Sequence, residues 1–265
     1  MSRTFPAAPA DDIALRLRQA AARWRWWPVA LLATEVVSLA LMEQGLLVNA
    51  VGLSATLMIG LLDRRGAKVN VHYDPQGISP AFHEIVNAMR GLQRAQRLWF
   101  VAHEQAVTND HQRKTNAGAS QLFRRKAAHS DLVGPKTLVV DIPVPTVRVK
   151  GFRLHLFPDV VLLHGGGQIL SLPYPALRVA FACTRTVENE QVPSDTRIIG
   201  STWLYVNKNG GPDRRFKDNR ELPIVEYGRL TVTGPDIDID IVWQCSNVEA
   251  LRAFFAALRG AGMRA

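Results

Sequence analysis

The feature that most constrains this chain is the run of alternating apolar segments that starts near Lys136. "TLVVDIPVPTVRV", "FRLHLFP", "VVLLHGGG", "QILSLPY", "LRVAFACTRTV", "STWLYVN", "PIVEYGRLTVTGP" and "IDIDIVWQC" succeed one another, and glycine- or proline-bearing turns separate many of them. Such a series reads as a sandwich or barrel of short strands. The last segment changes period. Ser246 and Glu249 are spaced as a capping box, and Val248, Leu251, Phe254, Phe255 and Leu258 recur at helical spacing, which predicts an amphipathic C-terminal helix. Residues 136–265 are therefore expected to form one antiparallel β domain closed by a helix.

The chain before Lys136 follows other periods. Residues 11–27, "DDIALRLRQAAARWRWW", read as a short helix with acidic residues at its start and arginines further along, the arrangement a helix dipole favours. Two apolar runs follow, "WPVALLATEVVSLALM" and "LLVNAVGLSATLMIGLL", joined by "EQG" and closed by "DRRGAK". They predict an apolar helical hairpin. Runs of about 16 to 19 residues sit at the short edge of what spans a bilayer, and Glu35 and Asn49 are costly in hydrocarbon. Flanking arginines and Lys68, with Trp24, Trp26 and Trp27 at the interface position, favour insertion with both ends cytoplasmic. Two readings stay open: an inner-membrane anchor with a cytoplasmic domain, and a soluble cytoplasmic subunit whose hairpin packs in a larger complex.

"KVNVHYD" alternates as a strand. "SPAFHEIVNAMRGLQRAQ" opens with Ser79 as N-cap and Pro80 at the first helical position, and Phe82, Ile85, Val86, Met89 and Leu92 share one face. "RLWFVAH" is a further strand, so a small βαβ-type segment is expected. Residues 109–135 read as a polar, basic connector. The expected layout is 1–66, basic helix and apolar hairpin; 67–135, α/β segment with connector; 136–265, β domain with its helix.

Composition narrows the function classes. The chain has 265 residues, and 32 Lys and Arg against 23 Asp and Glu give a net charge of +9, so an acidic surface is a natural partner. Charge alone does not choose among anionic lipid, nucleic acid and an acidic protein. Cys183 and Cys245 are the only cysteines and lie far apart; without Cys-x-x-Cys spacing they argue against zinc or a disulfide framework and read as reduced core residues. No metal site and no cofactor is expected. His103, Glu104, Asp110 and His111 could meet only if their segment folded back. Gly165-Gly166-Gly167 lacks a following Gly-Lys-Ser/Thr and reads as a hairpin turn. No helix-turn-helix, ribonucleoprotein strand or zinc finger is present, so nucleic-acid contact would be nonspecific.

Strands followed by one closing helix, with "FRLHLFPDVVLLHGGGQILSLPYPALRVAF" as the opening strands, resemble the pleckstrin-homology-like superfold over residues 138–259. The resemblance implies a closed β-barrel capped by the C-terminal helix. The segments "ENEQVPSDTRIIG" and "KNGGPDRRFKDNREL" depart from a minimal version. More finely, the Pro-Asp after the first strand, the Trp-x-Tyr-Val-Asn strand and the Gly-Gly-Pro-Asp-Arg-Arg-Phe loop are similar to an uncharacterised bacterial family over residues 69–259. That likeness implies no activity. The fold class expected is α+β: apolar hairpin, βαβ-type segment, and antiparallel PH-like barrel with one helix.

Residues 200–224 carry the candidate site. Thr202 to Asn207 reads as a strand, Gly210-Gly211-Pro212 as a turn, and Asp213 to Glu221 as a charged excursion that rejoins a strand at Pro223. The loop is read in three ways. It can be tied to itself through Asp213 and its arginines. It can grip a phosphate or carboxylate through Arg214, Arg215, Lys217 and Arg220, since guanidinium suits both. Catalysis has least support, because no nucleophile and base stand beside Asp213. The leading expectation is a non-enzymatic, membrane-associated binding or scaffolding protein that contacts a protein or anionic lipid partner through this basic loop. The alternatives are an enzyme acting on a phosphorylated or nucleic-acid substrate, with Asp213 and the His103–His111 region in one cleft, and the soluble subunit.

Overall fold

The computed structural model describes residues 27–40, 52–60, 69–106, 121–166, 168–207, 209–234 and 239–265. They belong to two compact units: residues 1–74 with 134–142, and residues 75–133 with 143–265.

In the first unit the described elements are helix α1 (Trp27–Ala40), helical residues 52–60, and a two-stranded parallel sheet of β1 (Val69–Val71) and β5 (Leu138–Val140). Among the described residues the expected apolar hairpin is not found: its two runs show as shorter helical segments, 27–40 and 52–60. At about 1.5 Å per residue, the 14 residues of α1 rise roughly 21 Å, against a hydrocarbon core of about 30 Å. Among the described residues no helix is long and apolar enough to cross a membrane. The turn "EQG" and the helix expected at residues 11–26 lie outside the described residues.

The second unit holds two open antiparallel sheets. One is ordered β4 (His129–Asp131), β6 (Thr146–Val149), β7 (Phe152–Leu156), β8 (Val161–Gly165), β9 (Gln168–Leu172). The other is ordered β10 (Arg178–Val187), β12 (Glu221–Gly234), β13 (Ile239–Cys245), β2 (Leu98–Ala106), β3 (Gln121–Ala127), with β11 (Arg197–Trp203) added to β12. Their apolar faces share one core, in which Leu154, Leu163, Leu230, Trp243 and Phe254 are buried. On β7 the alternating Leu154 and Leu156 belong to that core, and on β8 Val161 and Leu163 do.

The closed PH-like barrel is overturned. Among the described residues no ladder joins β9 to the six-stranded sheet, so each sheet keeps its own edges. Alternation reports which face of a strand is buried and carries no information about which strand lies beside it. Part of the β10 edge is satisfied by the C-terminal residues, where Val179 N–H donates to Arg264 C=O at 2.8 Å and Arg264 N–H to Leu177 C=O at 2.9 Å.

The βαβ-type segment is corrected for the same reason. Helix α2 (Pro80–Gln93) follows β1, but β1 pairs in parallel with β5 whereas β2 pairs antiparallel with β13 and β3. The helix itself is as expected: Ser79 caps it, accepting from Phe82 N–H, Pro80 follows, and Phe82, Ile85, Val86, Met89 and Leu92 are buried. Helix α3 (Val248–Gly260) packs on α2 and on β10 and β12. Its cap is Asn247, which accepts from Ala250 N–H at 2.9 Å. Ser246 was the expected cap, but its hydroxyl accepts from Arg97 N–H at 3.0 Å and lies 3.1 Å from the Asp195 carboxylate. The two cysteines also divide: Cys245 is buried and its thiol pushed up to about 12 by desolvation, while Cys183 is exposed and no core residue.

Candidate functional site

The loop between β11 and β12 ties itself down. The strand stops at Trp203, paired with Glu221, and residues 204–220 form the excursion. Asn219 clamps Tyr205 at both backbone groups: its side-chain oxygen accepts from Tyr205 N–H at 2.9 Å and its amide donates to Tyr205 C=O at 2.8 Å. Asn207 accepts from the N–H groups of Asn209 and Gly211, each at 2.9 Å. The Tyr205 and Phe216 rings stack 4.0 Å apart.

Asp213, named from sequence as a contact residue, is buried. Its carboxylate accepts from Arg215 Nε at 2.9 Å and from the Arg215 backbone N–H at 3.1 Å. The hydrogen bond and charge of that carboxylate raise the guanidinium's pKa further. Arg220 donates to the side-chain oxygen of Asn189. Arg214 and Lys217 are exposed and make no side-chain hydrogen bond or ion pair among the described residues. Of the five residues singled out there, these two present uncommitted charge.

An arginine of the expected connector is also spent internally. Arg125 on β3 donates through Nη2 alone to both oxygens of the buried Glu188 carboxylate, at 3.1 and 3.0 Å, and the Tyr227 hydroxyl donates to the same carboxylate at 2.8 Å. Its guanidinium lies 4.6 Å from the Trp99 ring centre. The connector reading is corrected here as well, since residues 121–127 and 129–131 are strands.

The concentrated charge lies on the five-stranded sheet. The ladders place His129 opposite Arg148, Arg148 opposite Arg153, and Arg153 opposite His164. Residues directly opposite point to the same face, and like charges so placed repel. This row and Lys150, at the β6–β7 turn, line an open groove of about 490 Å³, within the roughly 300–1,000 Å³ of ligand clefts. Asp131 offsets part of the charge, 3.1 Å from Arg148 Nε. Three formal cations, Arg148, Lys150 and Arg153, against that one carboxylate leave a net charge of two before either imidazole is counted. Arg153 and Lys150 make no side-chain hydrogen bond or ion pair among the described residues.

The next row on the same face includes His155, opposite Thr146. This imidazole is buried, with Nδ1 2.8 Å from the Thr146 hydroxyl. Burial first, then the charges of His164 and Arg153, lower its pKa to about 4. Burial thus keeps the ring neutral, and the charges of the row beside it act in the same direction.

Sequence reasoning missed this groove. One signal was present: Lys150-Gly151 stands between two alternating runs, and Gly151 has φ +86°, the left-handed backbone that a two-residue hairpin turn requires. Placing that turn sets Val149 opposite Phe152 and therefore Arg148 opposite Arg153. The hairpin expected at the triple glycine is there, since β8 and β9 pair antiparallel with Gly165 opposite Gln168, and Gly165 and Gly166 line the groove. His103 and Glu104 lie on β2, whereas Asp110 and His111 fall outside the described residues. Among the described residues no group of His, Cys, Asp and Glu is placed to hold a metal. No protein-family model, curated protein or solved structure matches the chain.

Proposed function

We propose that this protein is a non-enzymatic binding module that holds a phosphate-bearing anionic partner on the outer face of its five-stranded sheet and works at a membrane surface. The single observation that carries the reading is the register of Arg148 opposite Arg153, flanked by His129 and His164. Opposed guanidiniums weaken a sheet in isolation. An anion bridging them turns that repulsion into charge-assisted hydrogen bonds, which arginine makes to phosphate in pairs.

The surface of the first unit supports the membrane part. Leu32 and Val36 on α1, and Leu53, Leu57 and Met58 in residues 52–60, are each more than half exposed. Apolar exposure of this density marks an interaction surface, and its described helical segments are too short to span. Arg214 and Lys217 add exposed charge elsewhere, serving attraction rather than a defined grip.

The test is sedimentation of the full chain with vesicles of phosphatidylglycerol or of phosphatidylcholine. Binding to the anionic vesicles alone is expected. Arg148→Glu with Arg153→Glu should weaken it at least tenfold, and Arg214→Glu with Lys217→Glu by less. Anionic-vesicle binding that survives the groove reversal, in a protein with unchanged circular dichroism, would overturn the assignment.

A further inference from the structure

A second cavity adjoins the basic groove. An apolar crevice of about 400 Å³ is lined by Leu163 and Leu170 of the five-stranded sheet and by Phe100, Ile239 and Ile241 of the six-stranded sheet. Phe152 and Gly165 line both the crevice and the groove. The two cavities therefore meet at the end of the β7–β8 ladder, where Phe152 is opposite Gly165.

Gly165 holds this junction in its present form. A Cβ there would come within 3.1 Å of the Phe152 ring and 3.4 Å of the Gly151 carbonyl oxygen, so any side chain would push the ring from its place between the two spaces. Phe100, Phe152, Leu170 and Ile239 are only partly buried. Apolar surface is thus left open beside concentrated positive charge. Polarity also orders the pair, because Asp240 is in the crevice lining and would repel an anionic head, whereas the groove attracts one.

We propose that the ligand is an anionic amphiphile, with its phosphate head between Arg148 and Arg153 and an alkyl chain running past Phe152 into the crevice between the sheets. This rests on the groove being an anion site, as set out above, and adds the chemical class of what fills it. Charge complementarity at one end and continuity with the apolar lining at the other select one elongated ligand over a bare anion. Bare phosphate would leave the crevice empty, and a neutral lipid would leave the arginines opposed.

Calorimetric titration of the full chain with inorganic phosphate and with butyl, hexyl and octyl phosphate, all below micelle-forming concentrations, tests the assignment. Affinity should rise along the series by up to roughly fourfold per methylene that enters the crevice. Leu170→Trp, which fills the crevice, should return octyl phosphate to the affinity of inorganic phosphate and leave inorganic phosphate unchanged. Ile239→Asn serves the same end, and the wild-type series needs no variant to fold. Equal affinity for all four probes would overturn the chain assignment and leave the anion site standing. No binding of any probe would overturn both. Chain-length dependence that persists undiminished in both folded variants would place the chain elsewhere and overturn the crevice.

Discussion

The loop at residues 204–220 and the outer face of the five-stranded sheet are both rich in basic residues, yet they spend their charge in opposite ways. In the loop, Asp213 binds Arg215, Arg220 reaches Asn189, and Asn219 and Asn207 satisfy backbone groups. On the sheet, cations face cations across adjacent strands, with Asp131 as the carboxylate paired to Arg148. Density of charge in a sequence therefore says little about a site; what matters is whether the fold supplies the counter-charge. Where it does, the residues hold structure. Where it does not, a partner is the missing term.

This contrast is broken most directly by pH. His155 titrates at about 4 in the fold because of burial and the neighbouring His164 and Arg153, against about 6.5 in an unfolded chain. The unfolded state takes up the proton first. The neutral ring's contribution is complete above pH 6.5 and is lost as the pH falls through 4, a change of about 3 kcal/mol. Urea titrations between pH 7 and pH 4 should show this fall, and His155→Leu should remove most of the slope. Equal slopes in the two proteins would mean that burial and the neighbouring charges do not hold the ring neutral in the fold.

The second largest effect belongs to the loop. Asn219→Ala removes the acceptor for Tyr205 N–H and one of two donors to Tyr205 C=O, which keeps the Asp213 N–H, leaving the partly buried Tyr205 N–H unpaired at a cost of about 2 kcal/mol. Denaturant midpoints should shift accordingly, while vesicle binding by the folded protein is retained. If Asn219→Ala instead leaves stability untouched and abolishes vesicle binding, the roles assigned to the two regions are exchanged.

Much of this organisation is legible in the sequence. Ser79-Pro80 and the spacing of Phe82 to Leu92 define α2 because capping and helical periodicity are local properties. The strands from Lys136 onward were legible because alternation is local too. Sheet partnership is not local, so the sequence reads as one barrel where the fold has two open sheets, and places β1 and β2 as neighbours where they pair with other strands. Strand β3 hid for another reason. "QLFRRKA" is an edge strand, and edges carry arginine and lysine that blunt pairing with other chains, which in sequence looks like a polar connector. The basic row escaped because its members lie on four separate strands and gather only through register. The loop, by contrast, is contiguous and drew attention out of proportion to its free charge.

The smallest effect is the most discriminating, because its sign differs between the two regions. Arg153→Gln keeps most of the side-chain stem and removes one of two opposed charges. In chloride buffer it should raise stability by a few tenths of a kcal/mol, the scale of a like-charge cross-strand pair. With octyl phosphate present the order should reverse, because the wild type alone gains the stabilisation that ligand binding to the folded state confers. Loop substitutions at Asn219 have no such reversal available, since their partners are already inside the chain. Thermal midpoints of both variants, with and without octyl phosphate, measure the sign directly. A wild type that stays less stable than Arg153→Gln at saturating octyl phosphate would mean that the opposed arginines repel without a ligand to reconcile them.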